Sequence, residues 1–210
     1  MKIDDMKVSG DDLEDLLSKS PWVESPIFRG SSLLKKNNVN SLILNIPNTG
    51  FRTKPKDTAT HLHDAINKET MKDHGYMLRN GLFATRDIRL AGEFNTNTII
   101  VVPLANSTVF GVGYADFTEE VTYHRMTVEY TESLLPEYKK EHPNLSTEDA
   151  FQVIYSSVTQ EQVFKYMAEM YSKEAHIAEP SDTSGEELMI FGEVLLIDYD
   201  YATSKNLIDL

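Results

Sequence analysis

Asn80-Gly81-Leu82-Phe83-Ala84-Thr85-Arg86-Asp87 is the stretch on which the reading of this chain turns. Gly81 supplies a turn, and Leu82–Thr85 is a short apolar run of strand type that ends in a hydroxyl. Ile88–Phe94 then reads as a helical turn or two, and Thr98–Leu104 as another strand. Towards the amino terminus, Ile27-Phe28-Arg29 and Ser41–Ile46 read as strands. Towards the carboxyl terminus, Glu187–Asp198 reads as one strand, or two meeting at Gly192.

Helices fill the spaces between these strands. Thr58 is placed to cap a helix with apolar positions Leu62, Ala65 and Ile66, and His74-Gly75 closes the connection after it. From about 117 to 173 the pattern is helical. Ser146 with Asp149, and Thr159 with Gln162, have capping-box spacing, and Val163, Tyr166, Met167 and Met170 share one face. Residues 47–57 and 179–184 read as loops, and Gly111-Val112-Gly113 as a loop signal. The expected organisation is a helical extension over 1–25, with Ser9 as N-cap and Asp12 three residues on. A single domain over 26–210 follows, with a helical insertion around 117–175. This order is α+β, without the regular alternation of a doubly wound sheet.

Bulk properties exclude several classes. At 210 residues, with 40% hydrophobic and 10% aromatic side chains, the chain can bury a real core and is not of disordered composition. The absence of cysteine excludes disulfides, thiolate zinc sites and cysteine catalysis. No apolar run approaches the roughly 20 residues of a membrane helix. Met1-Lys2-Ile3-Asp4-Asp5-Met6 lacks the apolar core of a signal peptide, so a cytoplasmic location and no membrane partner are expected. A net charge of −13 excludes nucleic-acid binding through a general basic face. The same acidity serves solubility, or docking on a basic partner.

Three segments carry candidate chemistry. Arg29 ends a short strand, where its planar fork suits a pyrophosphate and Gly30 permits close backbone approach. Thr85 presents a hydroxyl at a strand end, suited to a ribose or a carboxylate. Glu187 opens a strand, where a carboxylate can accept from a ribose hydroxyl and stabilise a cationic sugar. Taken singly, the three residues read more readily as a surface ion pair, an edge-strand threonine and a solvated glutamate. His61 and His63 lie two apart in the expected helix, on different faces, which is the wrong spacing for a helical metal pair. No other spacing suggests a metal, so none is expected.

Taken in order, Phe28-Arg29-Gly30, Arg79-Asn80-Gly81-Leu82-Phe83-Ala84-Thr85 and Glu187-Leu188-Met189-Ile190 resemble the motifs of the arginine–serine–glutamate class of ADP-ribosyltransferases. With Pro55-Lys56-Asp57-Thr58, His63, Gly75-Tyr76 and Ala91, the stretch is also similar to small proteins of tailed bacteriophages. The resemblance implies a split β-sandwich with inserted helices and NAD as substrate. It implies cofactor-binding roles for Arg29, Gly30, Phe83, Thr85 and His63, a catalytic Glu187, and a host protein or other acceptor in the host cytoplasm. The chain departs from the family at Ala84 and Arg86, where serines flank the central threonine, and at Gly185, where an acceptor-selecting Glu or Gln stands. NAD hydrolysis, a fold kept without catalysis, and a non-enzymatic acidic protein that inhibits a host or anti-phage defence protein therefore stand beside transferase activity. The enzyme reading expects Arg29, Thr85 and Glu187 in one cleft with Glu187 open to solvent. The inhibitor reading expects one acidic face built from Asp11, Asp12, Glu14, Asp15, Glu119, Glu120 and Glu129.

Overall fold

The computed structural model describes residues 7–8, 10–49, 58–114, 117–182 and 185–208. The chain is a mixed α+β structure organised on one long strand, β7 (Glu187–Asp198). Its run from Leu188 to Phe191 is buried on both faces, so it is apolar throughout instead of alternating. The first half of β7 pairs with β3 (Leu82–Thr85) on one side and β5 (Thr108–Gly111) on the other. The second half pairs with β2 (Ser41–Ile46) and β4 (Thr98–Pro103). All these pairings are antiparallel, as is that of β5 with the two-residue β6 (His176–Ile177).

The exchange of partners happens at Gly192. Its φ of 86° is a left-handed value, and a Cβ there would lie 2.3 Å from the Asn106 carbonyl oxygen. Only glycine lets the strand turn under that loop. The sequence left one strand or two open at this point; the hydrogen-bonded strand is continuous and changes neighbours. β1 (Ile27–Gly30) bridges the halves by pairing with β4 along its length and with β3 at one position. The path β7–β3–β1–β4 thus returns to β7.

Helices cover this sheet. α4 (Ile88–Phe94) lies against β1 and β3, and the Asp87 carboxylate caps it by accepting from the Arg89 amide. α3 (Thr60–His74) packs on α8 (Gln160–Glu174), and α6 (Tyr123–Glu141) packs on α8 and on α7 (Thr147–Ser157). The expected capping box at Thr159–Gln162 is present in both directions, and Ser146 caps α7 by accepting from the Asp149 amide. α1 (Asp11–Ser18) sends Leu13 and Leu17, followed by Trp22, into the same core as the strands.

Several local expectations differ from the fold. Ser9 lies outside the described residues, and Gly10 occupies the N-cap of α1 with no side-chain cap. Thr58 does not cap α3, whose N-cap is Ala59, because its hydroxyl accepts from the Arg79 guanidinium. α2 (Leu33–Lys36), β5, β6 and α9 (Tyr199–Lys205) arise where no element was expected. No helix among the described residues is long and apolar enough to cross a membrane.

Candidate functional site

The three motif segments become three adjoining strands. Phe28 of β1 stands opposite Thr85 of β3, and Thr85 stands opposite Glu187 of β7. Residues directly opposed in an antiparallel ladder share a face, so Phe28, Thr85 and Glu187 form one rung. Arg29, one residue along, is directed by strand alternation to the opposite face. Strand pairing thus brings the segments together, while the alternation parts Arg29 from the Thr85–Glu187 pair.

Glu187 is not open to solvent, contrary to the expected cleft; it is 2% exposed. One carboxylate oxygen accepts from the Arg79 guanidinium, and the other accepts from the Phe117 amide at 3.2 Å. Arg79 is itself 4% exposed. Its second terminal nitrogen donates to the Thr58 hydroxyl at 3.1 Å, and its plane lies 5.8 Å from the ring centres of both Phe117 and Tyr171. A buried carboxylate needs such partners, since neither charge is tolerated alone in a medium of low dielectric. Thr85 is fully buried, and its hydroxyl accepts from the Asp87 amide at 3.1 Å, where it shapes the turn into α4.

Arg29 closes a gap in the sheet. β1 and β3 pair only at Phe28–Thr85, and beyond it the Arg29 guanidinium donates to the Phe83 carbonyl at 2.5 Å. The side chain satisfies a strand acceptor that β1 leaves unpaired. Gly30 is tightly approached, but by this chain's own helix: a Cβ would lie 2.2 Å from the Ala91 carbonyl oxygen and 2.6 Å from the Asn95 amide nitrogen. The Phe83 ring packs edge-on against Phe94, with centres 5.0 Å apart.

Two of the positions that depart from the resembled motif, Ala84 and Arg86, are built into the structure. Ala84 is fully buried. Arg86 donates to the Glu179 carbonyl at 2.8 Å and to the Ser25 hydroxyl, and lies 5.4 Å from the Trp22 ring centre. Burial lowers its pKa from the usual arginine value, and Asp182 and Glu186 oppose that shift. No family model matches the chain, and no curated protein or solved structure does.

His63 lies elsewhere, on α3, and is 2% exposed. Its Nδ1 is 3.4 Å from the Asn67 amide nitrogen. Asn67 in turn accepts from the Arg79 backbone amide at 2.9 Å and donates to the Asn80 side-chain oxygen at 2.9 Å. One polar chain thus runs from His63 through Asn67 to the residue that holds Glu187. Arg79, Asn67 and Asn80 carry roles here that the local sequence does not announce. Arg79 shares its place beside the strand with Arg86 and carries no local signal of its own; Asn67 is four residues from His63, one turn along the same helix face. Among the described residues no three His, Asp or Glu side chains converge as a metal site requires.

Proposed function

We propose that this chain is an ADP-ribosyltransferase-like protein, of the kind tailed phages carry, that takes NAD and acts on a host component. The reading is supported by one observation above all: segments more than fifty residues apart converge so that Phe28, Thr85 and Glu187 form a single rung. A split β-sandwich of that family is the fold proposed for the strands that adjoin it. In this chemistry NAD loses nicotinamide, a cationic sugar develops, the Glu187 carboxylate stabilises it, and a nucleophile of the acceptor captures it. Since Glu187 is sealed by Arg79, the reading requires NAD binding to open that pair.

The burial of Glu187 specifically favours a second reading, a non-enzymatic acidic protein that binds and inhibits a host or defence protein. There the Arg79–Glu187 pair is a fixed structural joint. Exposed Asp11, Asp12, Glu14 and Asp15 on α1 offer acidic surface, although Asp15 is paired with Lys19.

Nicotinamide release from NAD, with host lysate added, separates the two. The transferase reading expects release by the wild type and a fall on the order of 100-fold for Glu187→Gln. Both proteins must show cooperative melting. No release from a folded wild type with lysate present would favour the binding protein.

A further inference from the structure

A cavity of about 490 Å³ opens between α3 and the turn that precedes β3, away from the Phe28–Thr85–Glu187 rung. Its lining is of three kinds. His63, Asn67 and Asn80 are polar and at least nine-tenths buried. Met71 and Met77 contribute apolar thioethers. Asp64 and Lys68, both exposed, mark its mouth.

The arrangement follows from the helix. His63, Asn67 and Met71 recur at four-residue spacing and form one stripe of α3, with Asp64 and Lys68 on the stripe beside it. Hydrogen bonds hold the two amides: Asn67 donates to Asn80 at 2.9 Å, and Asn80 donates to the Thr49 carbonyl at 2.9 Å. The Asn67 oxygen accepts the Arg79 amide and the Asn80 oxygen accepts Asn67. Each side-chain carbonyl has two lone pairs, so each retains capacity for a ligand donor. The His63 imidazole adds a flat ring, whose Nδ1 is already 3.3 Å from Asp64 Oδ1 and 3.4 Å from the Asn67 amide nitrogen.

This chemistry selects a ligand class. A few fixed polar groups within a largely apolar pocket of this size suit a small organic molecule. Thioethers favour aromatic rings through sulfur–aromatic contacts. The remaining capacity of the Asn67 and Asn80 carbonyls is for accepting, which suits an amino group on a heterocycle edge. The Asp64 carboxylate lies 3.3 Å from His63 Nδ1, and no charged side chain among the described residues lines the deep part, which suits a neutral ring there, while Lys68 at the mouth can meet a phosphate. We propose that the cavity binds a nucleobase-type ring carried by a nucleotide, with the base among His63, Asn67, Asn80 and the two methionines and the phosphate at Lys68. The site does not depend on the chemistry proposed for Glu187.

The test is methyl NMR of protein labelled at its methionine methyls, titrated with AMP, adenosine and ribose 5-phosphate. Met71→Leu and Met77→Leu assign the two signals. AMP and adenosine should shift both, saturably, while the core methyls of Met126 and Met167 stay in place. Lys68→Ala should weaken AMP several-fold and leave adenosine unchanged. Met71→Trp, which fills the cavity, should abolish the remaining Met77 shift in a protein that still melts cooperatively. Failure of millimolar AMP and adenosine to move Met71 and Met77 would overturn the proposal, as would equal shifts from ribose 5-phosphate. Nucleotide binding without nicotinamide release would uphold the pocket and count against the NAD chemistry; release without these shifts would do the reverse.

Discussion

The Arg79 guanidinium and the Glu187 carboxylate meet inside the core, 108 residues apart in sequence and 4% and 2% exposed. Arg79 belongs to the turn before β3, and Glu187 begins β7. The Phe117 and Tyr171 rings that flank the guanidinium come from α5 (Phe117–Glu120) and α8, so the pair also ties the helical insertion to the sheet.

Removing one partner of a buried pair strands the other. Arg79→Ala and Glu187→Ala should each cost about 3–5 kcal/mol in urea unfolding. The double variant Arg79→Met/Glu187→Leu should lose far less than the sum, because no uncompensated charge remains. Additive losses would show that the two do not act as a pair. A glutamate lost to alanine here would remove activity by unfolding whether or not the carboxylate stabilises the sugar cation, whereas Glu187→Gln keeps an acceptor for Arg79.

Gly30 makes a second, sharper distinction. If its small size serves close approach of a ligand, Gly30→Ala should weaken NAD binding and spare stability. The structure places Ala91 and Asn95 backbone atoms 2.2 and 2.6 Å from the would-be Cβ. Backbone cannot swing aside as a side chain can, so α4 must lift from β1. The expected loss is about 2 kcal/mol or more, of the overpacking kind. Gly185→Ala, where nothing lies within 4 Å of the Cβ, is the matched control and should be nearly silent. Equal melting temperatures for the two variants would contradict this account.

The strands that build the centre were legible because they are local: Ser41–Ile46, Leu82–Thr85, Thr98–Pro103 and Glu187–Asp198 are apolar, strand-type runs. β5 was hidden by Gly111 and Gly113, which read as loop, and β6 is a two-residue strand that exists by pairing with β5. That the motif segments adjoin was an expectation of the resemblance alone, since nothing local in three separated segments says that their strands pair. The fate of Glu187 was not, since its burial depends on Phe117, Tyr171 and Arg79 arriving from three distant elements. Arginine is rarely buried without a charge partner, and local sequence does not show where that partner lies.

The packing of α3 on α8 carries a pH dependence. Asp73 has its carboxyl pKa lowered from 3.8, chiefly because the Ser172 hydroxyl donates to it at 2.8 Å, with Lys72 and His74 adding to the effect. A folded-state pKa below the unfolded value means stability present above about pH 4 and lost as pH falls through the folded value. Asp73→Asn should therefore melt below the wild type at pH 7. The gap should close as pH drops below 3.8 towards the folded pKa. A gap that stays constant down to pH 2 would assign the effect to shape and not to charge.

Arg86 offers a test with a built-in reporter, because the chain has a single tryptophan. Trp22 is 7% exposed and lies 5.4 Å from the Arg86 guanidinium. The same guanidinium holds the Ser25 hydroxyl and the Glu179 carbonyl, joining the segment after α1 to the loop that leads to β7. Arg86→Ala should remove all of these contacts together, shift tryptophan emission to the red and let that signal change at lower urea than the helical circular dichroism. Lysine cannot reproduce a planar fork that lies over a ring while bonding the oxygens of Ser25, Glu179 and Pro180, so Arg86→Lys should restore little of the native emission. Full recovery by lysine would mean that charge alone positions this segment. Unchanged emission in Arg86→Ala would show that Trp22 is held by the core, through Leu13, Leu17 and their neighbours, without the guanidinium.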